Sequence, residues 1–309
     1  HFWLKRAPFS ASGLVGSLAS ARPTMSVQSL LVCGDGSALV GKLRALKSTT
    51  VDALVLFSLG IEESTLFTAV KSSGIDQQCK SMYLTQTYGI IGFDEEAGRN
   101  VELMEKGRGS EYGFQGGSGG QGCLVLAYTG GGFVAGDGEA FPSDATSLMV
   151  VADGSGAWGA VAARSPIHYG GITKEATRLA ADGTTTPVPY FWVASREESS
   201  PIGVSAFRGE ASTAAAALLG QLPPGVAPAG TVGLFPCFTR GVNQYGKEDV
   251  ESTAIVSSLP GAHVYGMFAH GELGPQSFSG YVGPQMQKPP APCTQHSMTS
   301  ILVMHTRGV

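Results

Sequence analysis

VDALVLFSLGIEESTLFTAVKSSG, residues 51–74, decides the fold class of this chain. Residues 51–60 are apolar almost throughout and predict a strand buried inside a sheet. Residues 61–74 predict a helix. Glu62 and Glu63 suit the positive end of its dipole, and Gly74 is its stop. Working outward, SLLVCG (29–34) predicts a preceding strand and ALVGKLRALK (38–47) a helix, while KSMYLTQTYGIIGF (80–93) reads as strand, turn and strand. A β-α-β-α-β order gives a mixed α/β architecture.

Further strands are expected at 122–130, 147–154 and 231–238, with 187–195 and 202–209 as a strand pair. An alanine-rich helix covers 210–222 and another 248–260, with 262–272 as a strand and 296–306 as a closing central strand. Strand–helix–strand order recurs on both sides of residue 210. The expectation is therefore two related halves, 28–210 and 211–309, each with a central sheet flanked by helices, behind a segment 1–27. GRGSEYGFQGGSGGQG (107–122) reads as a connection and 276–295 as a proline-rich excursion.

Composition narrows the function classes. Of 309 residues only 14% are charged, net charge is −4, and no Lys/Arg block gives the electrostatic footprint that nucleic-acid binding needs. No apolar run is long enough for a membrane helix. Five scattered cysteines without a CxxC pair exclude a zinc ribbon and suit a reducing, intracellular compartment. Residues 1–24 hold Lys5, Arg6 and Arg22 with no acid, a transit-peptide composition, so the expected location is cytoplasmic, or mitochondrial if that segment is a targeting signal.

The chemical motifs are sparse. Gly154, Gly156 and Gly159 match G-x-G-x-x-G after a strand, but SPIHYGGITKEATRL offers no second apolar strand ending in an acid, so the glycines read as a turn and no nucleotide cofactor is expected. The six histidines show no metal-ligand spacing, and no metal is expected. Cys237 sits at a strand end three residues before Arg240, whose charge could activate a thiol or clamp a carboxylate. His270–Gly271–Glu272 forms a polar corner between apolar residues.

The C-terminal part combines CFTRG (237–241), YGKEDVE (245–251), LPGAHVYGMFAHGELGP (259–275) and HSMTSILVMH (296–305) in fixed order. This run resembles the FIST C domain of the FIST family, the F-box and intracellular signal transduction proteins. Cys237, Arg240, Gly241, Glu251, Gly266, Phe268, Gly271, Glu272 and Gly274 fall on the family's positions, whereas Met267 replaces an aromatic and Leu273 an isoleucine. Residues 1–27 are shorter than an F-box.

The resemblance implies a non-enzymatic sensory or adaptor module that binds a small polar metabolite, such as an amino acid, between its halves. It carries over Arg240, Glu272, Cys237, Gly241, Gly271, His270 and Glu251 as the ligand-binding set. Arg240 would grip a carboxylate while Glu272, brought toward it by the glycines, accepts from an ammonium. Two alternatives stand beside this: a protein-recruiting scaffold using 107–122 and 276–295, and an enzyme using Cys237 or His270 with Glu272.

Overall fold

The computed structural model describes residues 26–46, 50–105, 119–138, 142–159, 168–196, 202–222, 226–275, 281–282 and 293–308. Residues 1–24, most of 107–122 and most of 276–295 lie outside this set. Within it the chain is mixed α/β and mostly strand, in three sheets.

The first sheet runs β1 (Ser26–Cys33), β6 (Gly122–Thr129), β2 (Val51–Leu59), β3 (Met82–Gln86), β10 (Glu175–Leu179), β11 (Thr185–Pro187). The second runs β7 (Phe133–Gly136), β12 (Tyr190–Ser195), β8 (Ser147–Ala152), β9 (His168–Ile172), β16 (Glu272–Pro275), β18 (Cys293–His296). The third runs β17 (Tyr281–Val282), β13 (Ile202–Phe207), β19 (Ser300–Gly308), β14 (Val226–Pro236), β15 (His263–Met267), β4 (Gly89–Asp94), β5 (Arg99–Met104).

With β17 set aside, the three sheets share one pairing order: two antiparallel contacts, one parallel, two antiparallel. The parallel pairs β2–β3, β8–β9 and β14–β15 are each consecutive in the chain. The strands that follow each pair leave for another sheet: β4–β5 for the third, β10–β11 for the first, β16 and β18 for the second. The chain therefore consists of three related units, 26–129, 133–195 and 202–308, that pass hairpins around a ring. The sequence predicts two units; the pairing shows three, and it crosses residue 210.

Backbone hydrogen bonds fix the correspondence between units. Thr87 N–H donates to Ser58 O, Thr173 N–H to Ala152 O and Ala269 N–H to Pro236 O, at 2.8, 2.7 and 2.8 Å. Counting back from these, Tyr83, Tyr169 and Tyr265 are equivalent, and all three are buried in one central core. Val55, Phe57, Leu124, Met149, Phe191, Phe235 and Val303 fill that core from the inner faces of all three sheets.

The outer faces carry separate layers. Helices α1 (Leu39–Ala45) and α2 (Glu63–Ser73) pack Leu39, Leu43, Leu66 and Val70 onto the first sheet. Helices α3 (Ala211–Leu219) and α5 (Val250–Ser258) pack Ala215, Leu218 and Ile255 onto the third. Gly74 ends α2 in a left-handed conformation, as expected of a glycine stop.

Three local readings change. Segments 187–195 and 202–209 are both strands but do not pair: β12 lies in the second sheet and β13 in the third. The expected strand 262–272 breaks at 268–271, where the chain turns a corner from the third sheet into the second. SPIHYGGITKEATRL, read as lacking a strand, contains β9 and β10. Its glycines concealed the strand for a steric reason. A Cβ on Gly170 would lie 1.9 Å from Val150 O, and one on the equivalent Gly266 1.8 Å from Leu234 O. Only glycine allows this approach between the parallel strands.

Candidate functional site

Beyond Pro236 the chain leaves β14 and turns tightly. Cys237 N–H donates to Thr299 O, Phe238 N–H to Ala269 O and Arg240 N–H to Cys237 O, each at 2.8 Å. Gly241, with φ +63°, then opens the short helix α4 (Val242–Tyr245); a Cβ there would lie 2.9 Å from Met104 Sδ and from the Phe268 ring. This turn sends the Arg240 side chain inward, where it is 1% exposed.

All three guanidinium nitrogens are engaged. Nε donates to Glu251 Oε1 at 2.6 Å, and Nη2 also pairs with that oxygen. Nη1 donates to Arg208 O at 3.0 Å, and Nη2 to Gly209 O and Tyr245 Oη at 2.9 Å each. Tyr245 donates in turn to Glu251 Oε1 at 3.0 Å, and Ser300 Oγ to Glu251 Oε2 at 2.9 Å. Phe207 lies under the charge, 5.4 Å from ring centroid to Cζ. The expected pairing of Arg240 with Glu272 is not formed. Arg240 pairs with Glu251 of α5, and its donors are spent on the fold, so a ligand carboxylate has no free fork to grip.

Glu272 opens β16 and is wholly buried. Its Oε2 accepts from Thr299 N–H at 3.3 Å, while Oε1 has no hydrogen-bond partner among the described residues. Burial raises the carboxyl to about 8, outweighing the Cys237 thiol and the backbone N–H groups of Thr299, Gly271 and Glu272, which favour the charged form. Cys237 lies beside it and accepts from Thr239 Oγ1 at 3.1 Å. Burial, then the neighbouring Glu272 charge, pushes the thiol pKa up, the opposite of what a nucleophile needs.

The turn over this pair is strained and apolar at its tip. Met298 has φ +55° and is 63% exposed. A bulky side chain in the left-handed region marks a segment held there by its surroundings. Its neighbours Thr299 and Ser300 separate the two acids, since Thr299 serves Glu272 and Ser300 serves Glu251. Sequence reasoning missed Tyr245, Thr299 and Ser300; single hydroxyls carry no spacing signal.

The remaining expected residues sit apart from the Arg240 network. Gly271, with φ +133°, turns the corner, and its carbonyl accepts from Ile172 N–H at 2.9 Å. His270 is exposed and meets the rings of Phe238 and Tyr88 edge-on, at 5.1 and 5.8 Å between centroids. None of the seven expected residues lines either of two surface clefts. One, of about 430 Å³, is bounded by Asp35, Val40, Ser64 and Thr68; the other, of about 180 Å³, by Lys80, Tyr83 and Arg178.

The Gly154–Gly159 match follows β8 as an exposed turn in which Asp153 Oδ1 accepts from Ser155 N–H at 2.9 Å. Among the described residues no three His, Cys, Asp or Glu side chains are grouped to hold a metal, and no helix is long and apolar enough to cross a membrane.

No protein-family model matches the chain, and no curated protein matches it.

Proposed function

We propose that this chain is a non-enzymatic ligand-binding module of the FIST kind, sensory or adaptor in role. Its ligand is small and polar and offers a hydrogen-bond donor, as the amine of an amino acid does. The unpartnered Oε1 of Glu272 is the observation that supports this reading. A buried carboxyl oxygen without a partner is costly; a ligand ammonium would supply the missing donor and, by its charge, hold the carboxyl ionised. The strained turn at Met298 is the cover that would open to admit the ligand. Arg240 takes a structural part in this reading rather than a ligand-gripping one, and the raised thiol of Cys237 argues against nucleophilic chemistry.

The test is a thermal-melting screen of the intact protein against amino acids and polyamines. At least one compound is expected to raise the melting temperature by a few degrees, as ligand at about a hundred times its dissociation constant does. Glu272→Gln, which keeps the shape but replaces one acceptor oxygen by a donor, is expected to abolish that rise. A flat panel, or an undiminished rise in Glu272→Gln, would rule the reading out.

A further inference from the structure

The three units converge at one further point. Lys174 N–H donates to Gln86 O and His270 N–H to Ile172 O, at 3.0 and 2.9 Å, which places Tyr88, Lys174 and His270 at equivalent corners of the ring. Around them Tyr88, Phe238 and His270 form a closed triangle of rings, with centroids 5.1 to 5.8 Å apart. Lys174 Nζ lies 5.3 Å from the Tyr88 centroid and 2.7 Å from Glu105 Oε1. Two acceptor atoms at this junction are buried and have no partner among the described residues: Glu105 Oε2 and Asn243 Oδ1. The Asn243 amide is oriented by its other end, since Nδ2 donates to Phe238 O at 2.8 Å. His270 is exposed, and the Lys174 and Glu105 side chains are about a third exposed, at 32% and 37%.

We infer that this junction is a second binding site, for a small organic cation with at least one ammonium N–H. The junction already holds one ammonium, that of Lys174, between a carboxylate and an aromatic face, so its surroundings suit that charge. Glu105 uses one oxygen for Lys174 and keeps the other; Asn243 supplies a second acceptor oriented by the same Phe238 that forms one wall. Two acceptor oxygens and three rings offer more than the single Lys174 ammonium uses, which leaves room for a second cationic donor. The site stands independently of Glu272.

Ligand-observed NMR and calorimetry on the intact protein, with ethylammonium, tetramethylammonium and acetate as probes, test it. Ethylammonium is expected to bind with a dissociation constant of about 1 mM, near the ceiling for so few heavy atoms. Tetramethylammonium, which has no N–H, and acetate are expected to bind at least tenfold more weakly. Glu105→Gln is expected to weaken ethylammonium at least tenfold. Lys174→Met is expected to strengthen it several-fold by removing a like charge, a direction that a merely damaged fold would not produce. His270→Ala, at an exposed position, is expected to weaken binding with the melting temperature unchanged. Glu272→Gln is expected to leave ethylammonium binding intact, which separates this site from the interior one. Absence of ethylammonium binding, equal binding of acetate or tetramethylammonium, or weaker binding in Lys174→Met would each overturn the inference.

Discussion

Arg240 shows how a residue can be singled out for one role and fill another. A guanidinium three residues after a strand-end cysteine reads as a clamp for an anion, and it does hold a carboxylate, but that of Glu251 from its own chain. The pair is 1% and 2% exposed, and five further polar contacts tie it to Arg208, Gly209, Tyr245 and Ser300. Breaking such a pair leaves a charge without compensation. Arg240→Ala is accordingly expected to destabilise the protein by about 3–5 kcal/mol, read as a lower urea midpoint. Arg240→Lys is expected to restore little, because one ammonium cannot reproduce the fork. The double change Arg240→Met with Glu251→Leu should recover most of the loss, since no charge is then stranded. A midpoint for Arg240→Ala close to wild type would show that the network contributes little. The residue types of this centre were legible in the sequence, but the partner was not. Whether α5 or β16 brings its acid to Arg240 depends on how β19 enters the third sheet, and no local pattern encodes that.

Among the elements, the hairpin β4–β5 carries the most distinctive electrostatics. It belongs to the first unit but is bonded into the third. Asn100 donates to Ala262 O at 3.2 Å and accepts from Val264 N–H at 2.8 Å; Glu102 Oε1 accepts from Ser252 N–H in the first turn of α5 at 2.8 Å. Burial, with repulsion from Glu251 and Asp249, outweighs the Ser252 bond and raises Glu102 to about 7 from an ordinary 4.5. The folded state therefore holds this proton more tightly than the unfolded chain. Its stabilising effect is complete below about 4.5 and is lost as pH rises through 7. Urea midpoints are expected to fall between pH 5 and 8, and Glu102→Gln to remove part of that slope; equal slopes in both proteins would refute the assignment. Glu272 adds a drop of the same sign, extending toward pH 8, which is why the comparison with the variant matters. The first hairpin strand was legible, because GIIGF is apolar and follows a clear turn. β5 and β9–β11 were not: RNVELM is half polar, and HYGGI owes Gly170 to crowding against the parallel strand β8 and Gly171 to crowding against Ala269, rather than to a loop.

At the scale of the molecule, the exchanged hairpins make each sheet depend on two units. β5 reaches β15 only through β4, and β16 and β18 complete the sheet of β9. A fragment ending at residue 210 would leave β4–β5 without β15 and the second sheet without two strands. Residues 28–210 expressed alone are expected to show no cooperative thermal transition and poor NMR dispersion, while the whole chain melts as one unit. A well-dispersed spectrum from the fragment would show that the first two units suffice. The threefold plan escaped sequence reading because its units share few residue identities. Tyr83, Tyr169 and Tyr265 recur, but the helices and the length of the third corner differ, so no period stands out.

The ring arrangement also bears on chemical diversity. Three separate identical chains meeting about an axis must present three copies of the same side chain there. One continuous chain is free of that constraint, and this one sets a phenol, an amine and an imidazole at Tyr88, Lys174 and His270. Symmetry of the backbone thus coexists with asymmetry of reagents, and any one corner can change without forcing the same change on the other two.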